Sequence, residues 1–125
     1  MNKKRPVNLD ILTISMPATA VVSILHRVTG IILFVGLAFL FYIFDLSLAS
    51  QQGFDQVANT LQTSFLAKFI IWGVVSALMY HFVAGVKHLF MDMGYFEELD
   101  SGRKAAIANI AIAAVLVVLA GVWIW

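Results

Sequence analysis

The chain contains no cysteine and only two prolines, and charged residues make up 12% of its 125 positions. The missing thiols exclude Fe–S ligation, thiolate nucleophiles and disulfides within this chain. The scarcity of charge excludes an ordinary soluble domain, in which about a quarter of residues are charged. A net charge of +1 also leaves no basic field for nucleic acid. What is present is apolar: 62% of residues are hydrophobic and the mean hydropathy is +0.94. This is the composition of a membrane protein.

Along the chain, residues 1–22 read as a polar, basic arm with Lys3, Lys4 and Arg5, and no small-residue cleavage site marks a signal peptide. Pro17 can open a helix, because its missing N–H costs nothing in the first turn. Residues 23–125 read as one all-α transmembrane domain with spans at about 23–45, 66–88 and 105–125, each near the roughly 20 residues needed to cross hydrocarbon. Between the first two spans, Gln51, Gln52 and Gly53 read as a break. Phe54, Val57, Leu61 and Phe65 then recur at helical spacing, an amphipathic stripe leading into the second span. Asp100 or Ser101 is placed to cap the third span, and Trp123 and Trp125 read as interfacial anchors.

Three spans put the N-terminus and the second connection on one side of the membrane. Lys3, Lys4, Arg5, Arg27, Lys87, Arg103 and Lys104 fall on that side, and Lys68 alone on the other. The bias predicts a cytoplasmic N-terminus and an outer C-terminus.

Polar residues inside such spans point to function. Ser23, His26, Arg27 and Gly30 stand at i, i+3, i+4 and i+7 and share one helix face. Two readings are open for Ser23 and Arg27. A helix cap and a snorkelling anchor is one. The other is a quinone site, where a hydroxyl donates to a carbonyl oxygen and a cation stabilises developing negative charge. His81 lies about 10 Å deeper than His88 along the second span. At that depth a histidine is a packing residue, a proton relay or an axial haem ligand. Gly85, at i+4 from His81, gives room for a macrocycle or a helix, and His26 with Arg27, like Lys87 with His88, offers cations for propionates. His81 and His88 are too far apart along one helix to share a zinc ion. His26 reads as too shallow to oppose His81, so a second axial histidine would come from another chain.

Arg5-Pro6-Val7, Ser23-Ile24-Leu25-His26-Arg27-Val28-Thr29-Gly30 and His81-Phe82-Val83-Ala84-Gly85-Val86-Lys87-His88 followed by Asp92 together resemble the cytochrome b subunit of succinate dehydrogenase, the larger membrane anchor of bacterial complex II. The resemblance implies a multi-pass protein of the bacterial inner membrane that packs with a second anchor subunit into a haem-binding bundle. It implies a haem b held between the two anchors by one histidine from each, here His81, with His26 and Arg27 near the propionates. It also implies a ubiquinone site shared with the iron–sulfur subunit, where Ser23 and Arg27 match quinone-contacting positions. Succinate oxidation would belong to a flavoprotein subunit, so this chain is not an enzyme alone. Lys87 stands where many relatives carry arginine, which keeps the charge and loses the bidentate fork. The alternatives are the anchor of a fumarate reductase and a small non-haem transport or assembly protein.

Overall fold

A computed structural model describes residues 15–125, which form four α-helices and, among the described residues, no strand. The basic arm with Lys3, Lys4 and Arg5, and the Arg5-Pro6-Val7 opening, lie outside the described residues. Helices α1 (Ala18–Ala49), α3 (Phe65–Asp92) and α4 (Leu99–Ile124) are each long and apolar enough to cross a membrane. Their 32, 28 and 26 residues correspond to about 48, 42 and 39 Å, so each overruns the hydrocarbon core into the headgroup layer. α2 (Gln51–Thr63) is the short amphipathic element between α1 and α3. The expected spans at 23–45, 66–88 and 105–125 fall within or almost within the three long helices.

The termini follow local chemistry. Pro17 is the N-cap residue of α1, so the helix opens at Ala18, ahead of Ser23. The break after α1 falls at Ser50 and not at Gln51 to Gly53, because the Ser50 hydroxyl accepts from the Gly53 amide and starts α2 at once. The stripe of Phe54, Val57 and Leu61 stays within α2, while Phe65 is the first residue of α3 behind a second serine cap, Ser64. At α4 the expected caps do not serve: the N-cap is Glu98, and Asp100 and Ser101 sit inside the first turn. The Asp100 carboxylate there pairs with Lys104 at 3.2 Å.

Small residues bring the helices together. α4 buries Gly102, Ala106, Asn109, Ala113 and Ala120 along one face, the close-approach pattern of helices that associate in lipid. A Cβ at Gly121 would come within 3.1 Å of the Trp72 ring nitrogen, which itself donates to the Val117 carbonyl at 2.9 Å. At Gly36 on α1, a Cβ would meet Val74 of α3 at 2.9 Å. Val22, Ala84 and Ala106, one from each long helix, are fully buried and form the common core, with Ala18 and Tyr80 packed on it.

Candidate functional site

The antiparallel course of α1 and α3 brings together three histidines far apart in sequence. His26 stacks on His81, ring centroids 4.0 Å apart and planes 12° from parallel. The same His26 ring meets His88 edge-on at 5.0 Å and 64°. His26 therefore sits beside His81 and His88, not above them. The shallow placement read from the sequence counted depth along each helix from its own end and missed the register between α1 and α3.

The glycines of both motifs make this approach possible. A Cβ at Gly30 would lie 3.2 Å from Cε1 of His81, and one at Gly85 would lie 3.8 Å from Nε2 of His26. Each glycine thus faces the other helix's imidazole.

The hydrogen bonds define the His81 tautomer. Nδ1 of His81 lies 3.0 Å from the His26 carbonyl oxygen and 3.2 Å from Oγ1 of Thr29. A carbonyl can only accept, so Nδ1 carries the proton and donates it. Nε2 is then the nitrogen with the free lone pair. In metal-binding histidines, an outer hydrogen bond at one ring nitrogen fixes the other as ligand in this way. Thr29 was part of the sequence motif, but its partner lies 52 residues away and no spacing rule reveals it. Tyr80 is similar: its hydroxyl donates to the Val22 carbonyl at 3.0 Å, tying α3 to α1 one turn from the histidines.

The cations divide into two kinds. Arg27 is exposed at the end of the bundle that also holds His88. Lys87 is 8% exposed and its ammonium donates to Sδ of Met91 at 3.5 Å, so the chain itself encloses it. Ser23 is half-buried and lies inside α1, five residues past its first residue, which removes the reading of Ser23 as a helix cap. The structure thus brings His26, His81 and His88 into contact and leaves Ser23 half-buried and Arg27 exposed. Beside His81, Leu78 and Phe82 are 49% and 67% exposed, an apolar surface available to lipid or to another helix.

The family described as succinate dehydrogenase/fumarate reductase transmembrane subunit matches residues 1–120. The succinate dehydrogenase cytochrome b556 subunit of Coxiella burnetii is 38% identical over 125 residues, which cover the whole of both chains. That of Paracoccus denitrificans is 34% identical over 115 residues, 92% of this chain and 88% of the relative. The succinate dehydrogenase cytochrome b560 subunit of Reclinomonas americana is 29% identical over 130 aligned positions, 99% of this chain and 88% of the relative.

Proposed function

The chain belongs to the succinate dehydrogenase/fumarate reductase transmembrane subunits, and from that premise we propose that it is the haem b-binding anchor of a succinate:quinone oxidoreductase. The observation that carries this reading is the His81 imidazole, with its Nδ1 proton tied to α1 and its Nε2 lone pair free. When bound, a haem b supplies a one-electron carrier inside the membrane. The residues present fit it at His81, whose tautomer is already that of a ligand. They also fit at Arg27, an open cation for a propionate, with His26 beside it. They do not fit at Lys87, whose ammonium is enclosed by its own chain.

A second anchor subunit would supply the other histidine to the haem and would cover the exposed surface around Leu78 and Phe82. Ser23 and Arg27 act on quinone: the hydroxyl donates to a carbonyl oxygen, and the guanidinium stabilises the charge that develops there in a low dielectric. Ubiquinone is the acceptor in this reading, the flavoprotein and iron–sulfur subunits supply the electrons, and the chain catalyses nothing alone. The names of the relatives favour succinate oxidation over fumarate reduction. The basic end of the bundle, with Arg27, Lys87, Arg103 and Lys104, faces the cytoplasm; a reporter active only outside the cytoplasm, fused after Trp125, is expected to be active.

The test of the central reading is the reduced-minus-oxidised spectrum of the purified complex carrying His81→Ala. Loss of the bis-histidine signal is expected while the subunits remain assembled. An intact signal in His81→Ala, with loss in His88→Ala or His26→Ala, would assign the wrong histidine.

A further inference from the structure

We propose that Thr29 is a positioning residue for the haem: with the His26 carbonyl it holds the Nδ1 proton of His81, and so sets the orientation and donor strength of Nε2. The inference rests on the reading of His81 as an axial ligand.

Three distances close a triangle. His81 Nδ1 is 3.0 Å from the His26 carbonyl and 3.2 Å from Thr29 Oγ1, and Thr29 Oγ1 is 2.9 Å from the same carbonyl. The Thr29 proton is committed to the His26 carbonyl, so toward His81 the hydroxyl presents a lone pair. Two acceptors therefore converge on one N–H, a three-centre bond. Hydroxyl donation to a carbonyl three residues back is common in apolar helices and by itself needs no function. What singles out Thr29 is that the same oxygen also meets an imidazole from another helix.

The triangle has two consequences. A ring held by two acceptors on one side, with Gly30 against Cε1 on another, has little freedom to rotate about its axis. Hydrogen bonds are also stronger in a low-dielectric interior. Drawing the Nδ1 proton toward two oxygens gives the imidazole more anionic character and makes Nε2 a stronger donor. A stronger donor favours the more positive, oxidised iron, since outer hydrogen bonds tune metal sites through their ligands. Removing one acceptor therefore raises the reduction potential of the haem.

The experiment compares Thr29→Val, which keeps the shape and loses the hydroxyl, with Thr29→Ser, which keeps the hydroxyl. Both are made in the whole complex beside His81→Ala. The readouts are the haem midpoint potential by equilibrium redox measurement and the low-spin ferric signal by electron paramagnetic resonance. Thr29→Val is expected to raise the potential and shift the low-spin signal, or to lose haem outright, while Thr29→Ser remains as the unsubstituted complex. A Thr29→Val protein with unchanged potential and signal overturns the proposal. So does a Thr29→Ser protein that shifts as far, or loses haem as readily, because the methyl's packing would then be responsible. Haem retained in His81→Ala overturns the ligand reading itself; haem lost there with Thr29→Val silent overturns only the role of Thr29.

Discussion

The two faces of α3 do different work with similar means. Toward α1 it presents His81, Gly85 and His88, met by His26, Thr29 and Gly30. Toward α4 it presents Trp72, met by the Val117 carbonyl and Gly121, along a row of buried small residues. In lipid, burying one apolar side chain against another gains little over leaving it in hydrocarbon. Association therefore depends on close backbone approach and a few hydrogen bonds. Both faces use glycine or alanine for closeness. On the α4 face the closeness is filled by packing; on the α1 face it is filled by imidazoles held in one tautomer. Asn109 breaks the pattern on the α4 side: both its amide atoms are buried without a partner among the described residues, and nothing in the structure explains it. On the proposed function, assembly and chemistry fall on separate sides of one helix, and substitutions on each side should have separable effects.

The largest expected effect is on assembly. Gly121 lies against Trp72 on the α3–α4 seam, where a Cβ would already come within 3.1 Å of the indole nitrogen, so Gly121→Leu overpacks that seam by about 1–3 kcal/mol. The complex should lose its haem absorbance at a lower temperature in a thermal scan, while the haem potential of the intact complex stays put. A shifted potential with unchanged thermal loss would mean that the two faces of α3 are not independent.

On the quinone reading of α1, Arg27→Leu removes a charge-assisted contact worth about 1.5–3 kcal/mol. Quinone reductase activity should fall by roughly ten- to a hundredfold, and Arg27→Lys should restore only part of it, since a point charge cannot reproduce the planar fork. Succinate oxidation with an artificial acceptor that bypasses the membrane should be nearly unchanged. Parallel loss in both assays would move Arg27 from the quinone to the assembly side of the comparison.

The sequence made these two faces unequally legible. The spans could be read because apolar runs of the right length have no other home, and the shared face of Ser23, His26, Arg27 and Gly30 follows from helical spacing alone. The helix ends were less legible. The apolar run suggests a first span from Ser23, whereas the helix itself starts as soon as Pro17 allows, at Ala18. Gln51 to Gly53 suggest a break, but a serine cap at Ser50 absorbs all three into α2. The main gap was the register of α1 against α3, which depends on contacts such as Gly36 with Val74. Without it His26 looked too shallow, and Thr29 had no visible partner. The packing face of α4 was legible only as an apolar run, because a row of alanines carries no chemistry to single it out.

The smallest expected effect tests how the proposed quinone contact is divided between Ser23 and Arg27. Ser23 lies well inside α1 and is half-buried, so its hydroxyl has no role in capping the helix and Ser23→Ala should leave thermal stability unchanged. The substitution removes one neutral hydrogen bond, worth about 0.5–1.5 kcal/mol net, which corresponds to a weakening of quinone affinity by up to roughly tenfold. That loss should appear as a raised KM for quinone, with artificial-acceptor activity and the haem spectrum as in the unsubstituted complex. It should also be smaller than the loss in Arg27→Leu, because a neutral donor contributes less than a charged one to an oxygen that gains negative charge. Were Ser23→Ala to exceed Arg27→Leu, the hydroxyl and not the guanidinium would be the principal contact, and Arg27 would return to the role of a surface anchor.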